Sequence, residues 1–493
     1  MLFNSYEFIF LFLPLTLIGF FTLSKYRLTG IATAWLAIAS LVFYGYWNPP
    51  YLILLAISIT WNYLMGDRIS RIEPGSRRAK ILLWVGISFN LILIIYYKYA
   101  GFLIGSVNQV INTDLPVSDI ILPLAISFYT FTQIAYLVDA YRGETKNARY
   151  DFLTYSLFVS FFPQLIAGPI LRHDELIPQL RRGRFFILAD KNIARGLLLF
   201  SLGLCKKVLI ADNLSRWVGP IFANAADVTF IEAWVGALSY SLQLYFDFSG
   251  YSDMAIGLGW LFNINLPINF NSPYKATSIS DFWRRWHMTL SNFLRDYLYI
   301  PLGGSRKGEI RRYVNLLITM LLGGLWHGAG WTFVVWGGLH GVYLSINHWW
   351  RKWEISLPKF FAWLITFIAV VFSWVLFRSP TFSDALELLQ AMVGMKGLVL
   401  PGEPTGKLSM LTQFGIQLPG WRSLVYIPET AGKQSLTLVV LVALIFATTC
   451  LPNTQQIMER FKPTWWWAVF VGGLTAYCLL CLNQVSEFLY FQF

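Results

Sequence analysis

Phe361-Ala-Trp-Leu-Ile-Thr-Phe-Ile-Ala-Val-Val-Phe-Ser-Trp-Val-Leu-Phe377 carries no charge and is bounded by basic residues, Lys359 on one side and Arg378 on the other. A bilayer's hydrocarbon layer of ~30 Å takes roughly 20 such residues per helical crossing. Comparable runs lie at Ile81–Tyr97, Ile120–Val138 and Leu436–Leu451, and shorter ones recur along the chain. Of its 493 residues 56% are hydrophobic and 13% charged, whereas soluble domains are about a quarter charged. The 21 Trp, 25 Tyr and 40 Phe fit a bilayer protein, because amphipathic rings settle at headgroup depth. Trp349-Trp350 and Trp465-Trp466-Trp467 are expected at such interfaces. These features exclude a water-soluble fold and predict an all-α polytopic membrane protein.

The net charge of +12 would suggest nucleic acid in a soluble protein. Here the bases sit in short loops between apolar runs, as cytoplasmic loops do, so no nucleic-acid partner is expected. The basic segments Arg68–Lys80, Arg172–Arg195, Lys275–Arg312 and Arg351–Lys359 are therefore assigned to the cytoplasm. Residues 379–434 balance acids against bases and are expected to form an extracytoplasmic loop. The first run, from near Phe8, has no basic leader and reads as a retained crossing. Both ends of the chain are then extracytoplasmic. Phe152–Leu171 lies between two cytoplasmic stretches and is broken by Pro163, Gly168 and Pro169, so a re-entrant hairpin is expected there. The whole chain, 1–493, reads as a single membrane domain of about eleven crossings. Cys478 and Cys481 form a C-x-x-C within an apolar run, where helix packing suffices and metal chemistry is not expected.

Residues Asp247–His340 carry the chemistry. Asp247 and Asp253 interrupt an apolar run, and an ionisable group at membrane depth is a functional candidate; the alternative is that both pair with nearby Arg to lock helices. A Pro- and Asn-rich break containing Asn271 follows. Ser278-Ile-Ser-Asp281 then has N-cap spacing and predicts a helix from near Ile279. On that helix Phe282, Trp286, Phe293 and Tyr297 would share one apolar face at the membrane interface. His287 falls one turn after Trp283 and one turn before Ser291. Arg284 and Arg285 supply guanidinium forks suited to phosphate, or act only as topology determinants. His327 lies in Gly323-Gly-Leu-Trp-His-Gly-Ala-Gly330, among glycines that let backbone or a ligand come close. In hydrocarbon a neutral imidazole is favoured, the form that accepts a proton. His340, in Gly337-Gly-Leu-His-Gly341, has similar surroundings.

Asp281-Phe-Trp-Arg-Arg-Trp-His-Met-Thr-Leu-Ser291, Tyr299-Ile-Pro-Leu-Gly-Gly304 and Gly324-Leu-Trp-His-Gly328 together resemble the membrane-bound O-acyltransferase family. Within it they are most similar to the branch that O-acetylates alginate, which is related to the D-alanyl transfer proteins of teichoic acid. Phe162-Pro-Gln-Leu-Ile-Ala-Gly-Pro169, Phe372-Ser-Trp-Val-Leu-Phe-Arg378 and Phe491-Gln-Phe493 extend the resemblance over nearly the whole chain. It implies a ring of tilted helices around a funnel, with His327 as catalytic residue and His287 as its partner. It also implies a donor that is acetyl-CoA or another acyl thioester, no bound cofactor, a polysaccharide acceptor and an extracytoplasmic esterase-like acetyltransferase partner, all at the bacterial inner membrane. His287 is expected to orient the acceptor or stabilise the oxyanion. Trp283, Arg284, Arg285, Ser291, Asp247, Asp253, Asn271 and His340 are secondary candidates for donor or substrate binding. The rival is a transporter of a lipid-linked sugar or small solute, with the buried acids and histidines as proton relays. Such proteins often repeat internally, and no repeat is visible.

Overall fold

The computed structural model describes residues 1–493 except 118–119, 146–149, 167, 400–423, 428–429, 431–433, 483–488 and 490–493. Phe491-Gln-Phe493 and most of the 379–434 loop thus lie outside the described residues. The helices of the first half are α1 (Leu13–Lys25), α2 (Thr29–Gly45), α3 (Tyr51–Ser70), α4 (Arg77–Ile94), α5 (Ala100–Ile111), α6 (Ile126–Arg142), α7 (Phe152–Ser160), α8 (Phe162–Leu165), α9 (His173–Leu180), α10 (Asp190–Cys205) and α11 (Asp212–Ala223). The second half contributes α12 (Phe230–Leu261), α13 (Ile279–Trp283), α14 (Met288–Leu294), α15 (Glu309–His327), α16 (Trp331–Trp350), α17 (Lys359–Arg378), α18 (Phe382–Met392), α19 (Gln434–Cys450), α20 (Thr454–Arg460) and α21 (Trp465–Leu480).

The solvent pattern is inverted relative to a soluble protein. Phe10, Ile18, Ile92, Phe361, Phe446 and Val469 are more than half exposed, while Asn62, Gln133, Asp247 and His287 are buried. Such a surface suits lipid, in which polar groups must find partners inside. Among the described residues, Glu7–Lys25, Arg77–Ile111 and Lys359–Arg378 are single helical stretches long and apolar enough to span a membrane; α19 and α20 form a broken span bent by 55°. The other crossings expected from the apolar runs fall on helices that are shorter or carry buried polar groups.

The axis of the molecule is α12, whose 32 residues extend about 48 Å at 1.5 Å per residue. At its far end Asn263 donates to the carbonyls of Arg184 (3.2 Å) and Ile187 (2.5 Å), within the basic 172–195 segment. At its start Trp234 donates to Met392 O and Glu232 accepts from Tyr426 N–H, both in 379–434. The two stretches assigned to opposite sides by charge thus sit at opposite ends of one helix.

Glycines set the tightest crossings. A Cβ on Gly203 would lie 2.5 Å from Gly250 O, and one on Gly196 2.7 Å from Gly257 O, so α10 and α12 touch backbone to backbone. Small residues play this role in membranes because lipid offers no hydrophobic drive between helices. Phe152–Leu171 returns on itself: Tyr150 Oη lies 2.8 Å from His173 Nδ1, so both ends of the segment meet, while its apex Phe162 N–H reaches Ser40 Oγ in the core. This return fits the re-entrant hairpin expected from the charge parity.

Candidate active site

The Ser278 cap forms as the sequence indicates, its Oγ accepting from Asp281 N–H at 3.1 Å. The helix then stops at Trp283, which corrects the expectation of one amphipathic helix through Tyr297. Residues 284–287 turn, His287 adopts a left-handed conformation (φ +42°) and α14 starts afresh at Met288. The extended segment that follows α12 competes for the backbone hydrogen bonds a continuous helix would have used. Asn271 N–H donates to Arg285 O and Met288 N–H to Asn269 O, each at 2.9 Å. A left-handed residue costs about 1–2 kcal/mol, which these bonds offset.

Asn269 also fixes the His287 tautomer. Its Oδ1 accepts from Thr289 N–H (3.3 Å) and lies 3.0 Å from Thr289 Oγ1 and from His287 Nδ1. An oxygen that takes a backbone N–H is an acceptor, so His287 Nδ1 carries the proton and Nε2 presents a lone pair. That Nε2 is buried and has no hydrogen-bond partner. Asn269→Leu is expected to lower acetyl transfer about 10²-fold through misplacement of the ring, and Asn269→Asp, which keeps the acceptor oxygen, to lower it less; equal turnover in Asn269→Leu and wild type would remove this role.

His327 ends α15, where the last carbonyls lack helical partners. Lys98 supplies them. Its ammonium donates to Trp326 O (2.6 Å) and His327 O (3.2 Å) and lies 3.5 Å from Ser127 Oγ, while Tyr99 Oη donates to Leu325 O at 2.8 Å. Lys98 sits in a π-turn, Ile95–Tyr99, within the long Arg77–Ile111 stretch. Such turns redirect side chains and cluster at functional sites. The rings of His287 and His327 come within 6.2 Å, and Trp326 packs 6.0 Å from the first and 5.0 Å from the second. His287 is fully sealed, whereas His327 keeps 7% of its surface accessible. Phe248, 4.8 Å from the His287 ring, stands about 27 Å from the start of α12 and about 20 Å from its end, so the pair lies deep within the helices. Of the glycines near His327, Gly324 serves the helix crossing: a Cβ there would lie 2.2 Å from Phe333 O, and one on Gly337 of the facing helix 2.2 Å from Met320 O, whereas Gly328 lies under the Phe333 ring.

The secondary candidates divide. His340 reaches the site through Trp336 and Trp374; its Nδ1 accepts from Trp283 Nε1–H (3.3 Å) and its Nε2 lies 3.0 Å from Ser373 Oγ, so both ring nitrogens are engaged. Ser291 bonds Trp286 O. Asn271 Oδ1 accepts from Asn453. Arg285 is held by Asp281 at 2.9 Å, and Arg284 is exposed. Asp247 and Asp253 pair with Lys207 and Lys206, each at 2.6 Å, so the helix-locking cations are lysines rather than the arginines considered from sequence.

A cavity of about 150 Å³ is lined by Ile170, Arg172, Thr289, Asn292, Asp296 and Tyr297 and reaches Met288, next to His287. Behind its wall Tyr297 donates to the buried Asp139 (2.6 Å), with Arg142 and Arg172 3.5 and 3.7 Å from the same carboxylate. The sequence reading missed Asn269, Lys98 and Tyr99. A lysine within a helical stretch long enough to span the membrane is the same signal that singled out Asp247 and Asp253.

Comparison with known proteins identifies the family. The profile of the MBOAT, membrane-bound O-acyltransferase, family matches residues 143–381. The chain is 42% identical over 529 aligned positions to a peptidoglycan O-acetyltransferase of Helicobacter pylori, covering 100% of this chain and 98% of that protein. It is 44% identical to a probable alginate O-acetylase of Pseudomonas aeruginosa, over 80% of this chain and 75% of the other. A teichoic acid D-alanyltransferase of Bacillus subtilis is 27% identical over 54% and 71% of the two chains. With an identity of that size along its full length, and both motif histidines on one turn and one helix end, the chain is a multi-pass enzyme that belongs to the membrane-bound O-acyltransferase family.

Proposed function

We propose that the enzyme moves an acetyl group from a cytoplasmic thioester, acetyl-CoA, toward hydroxyls of an extracytoplasmic glycan at the bacterial inner membrane. The observation that carries this reading is the pair of imidazoles 6.2 Å apart deep among the helices. The 150 Å³ cavity beside His287 opens among residues of the basic stretches assigned to the cytoplasm. The donor's thioester end enters by this cavity, whose Arg172 is already held by carboxylates and so serves the wall rather than the donor. His327, the accessible imidazole, takes the proton from the acceptor hydroxyl. His287, held as the Nδ1–H tautomer, offers a lone pair to a neighbouring hydroxyl of the glycan and so orients the acceptor. Its Nε2 has no proton to give, so this reading assigns the oxyanion to another donor.

The acceptor we favour is peptidoglycan, because the Helicobacter pylori relative spans the chain end to end whereas the alginate relative covers 80% of it. An extracytoplasmic esterase-like acetyltransferase is the proposed receiving partner. The buried acids speak against a proton relay, since both are neutralised by lysines. Base-labile acetate measured on purified peptidoglycan and exopolysaccharide, with and without the chain, tests this. Loss from peptidoglycan alone supports it, loss from exopolysaccharide alone reassigns the acceptor, and no loss from either rejects it. A bulky Asn292→Trp in the cavity is expected to raise the donor KM by about tenfold or more with kcat largely kept; an unchanged KM would close this route.

A further inference from the structure

We propose that the indole N–H of Trp326 is the hydrogen-bond donor to the acyl oxygen during transfer. The inference rests on the His287–His327 site described above. Trp326 Nε1 and His287 Nε2 are both buried without hydrogen-bond partners, and buried polar groups are nearly always satisfied. One is obligatorily a donor. The other, by its tautomer, is an acceptor. Their rings are 6.0 Å apart, and the Trp326 ring is 5.0 Å from that of His327, so the three rings form a triangle closed by the 6.2 Å histidine pair. A glycan and a thioester carry the complementary groups: a neighbouring O–H of the glycan for the lone pair, which leaves the attacking hydroxyl's proton to His327, and a C=O for the indole.

Trp326 is also held still, as preorganised stabilisation requires. Its carbonyl is bonded by Lys98 at 2.6 Å, and its ring packs on Phe128 (5.3 Å) and Phe131 (5.4 Å). Trp336 has an unpartnered indole too and lies 5.2 Å from His327, but His340, Trp374 and Phe377 wall it in. Trp326 is the indole that packs on both histidines.

The step balances. The acceptor oxygen attacks the thioester carbon as its proton passes to His327. A C–O bond forms, and the carbonyl π pair moves onto the oxygen facing Trp326 Nε1–H. The oxyanion then collapses, the C–S bond breaks, and the thiolate leaves with the proton from the His327 imidazolium.

The test uses full-length purified enzyme, acetyl-CoA and its dithioester analogue, in which sulfur replaces the carbonyl oxygen. Trp326→Phe keeps a ring and removes the donor, and is expected to lower kcat about 10²- to 10³-fold with the donor KM little changed. The gap between wild type and variant should narrow with the dithioester, a poorer hydrogen-bond acceptor. A kcat within about threefold of wild type, or a gap equally wide with the dithioester, overturns the assignment. If the phenylalanine variant fails to fold, benzothienylalanine at 326 retains the two-ring shape without the N–H and must give the same loss. His327→Ala in parallel separates the readings: an active His327→Ala defeats the site itself, whereas an inactive one beside a fully active Trp326→Phe defeats only the donor.

Discussion

Replacing His327 by Ala is expected to cut acetyl transfer by about 10²- to 10⁴-fold, the contribution of a positioned general base, without loss of folded protein. The second half of that expectation follows from how the helix end is built. Lys98 and Tyr99 bond the backbone carbonyls of residues 325–327, so truncating the side chain leaves the cap intact. The neighbouring rings of Trp326, Trp336 and Phe377 still close around the vacated space. Transfer of radiolabelled acetyl by detergent-purified protein, paired with its size-exclusion profile, measures both halves. Turnover within about threefold of wild type would show that proton removal lies elsewhere.

A larger effect on the fold is expected from Gly337→Leu. A Cβ there would stand 2.2 Å from Met320 O and 3.1 Å from Gly324 Cα, and backbone atoms cannot swing aside as a flexible side chain can. The α15–α16 pair would be forced apart, at a cost at or above the usual ~1–3 kcal/mol of overpacking. Because α15 ends in His327, the spreading would also carry the imidazole away from His287. The expected outcome is loss of monodisperse protein from detergent extracts. Gly330→Ala is the control: its added methyl would meet Phe333 at an ordinary 3.5 Å, so near-normal yield is expected. Good yield of Gly337→Leu would mean that the two helices do not depend on this contact.

Much of the architecture was legible from the apolar runs, the basic loops and one odd parity. Phe152–Leu171 was expected to fold back on itself, and Tyr150 meeting His173 brings its two ends together. The glycines around His327 announced a close approach, though not what would use it; at Gly324 it is the backbone of the facing helix, at Gly328 the Phe333 ring. The break at His287 was hidden. Phe282 and Trp286 stack at 5.6 Å while Phe293 and Tyr297 pair at 4.9 Å, so helical spacing holds on each side of the turn and conceals it. What imposes the turn is Asn269, 18 residues away in sequence, a partner that no local period reveals. Lys98 was hidden likewise, because its role is to cap a helix that begins more than two hundred residues later.

The left-handed turn at His287 bears on how the protein is made. Trp286 and His287 are non-helical yet buried, and such backbone is tolerated at depth only when protein encloses it. Its enclosure comes from Phe248, upstream, and from Trp326 and His327, which leave the ribosome later. The translocon therefore cannot deliver this segment as a finished hairpin. It has to wait outside the hydrocarbon until α15 and α16 have been inserted, and a nascent chain released before then would carry His287 without ever having been an enzyme.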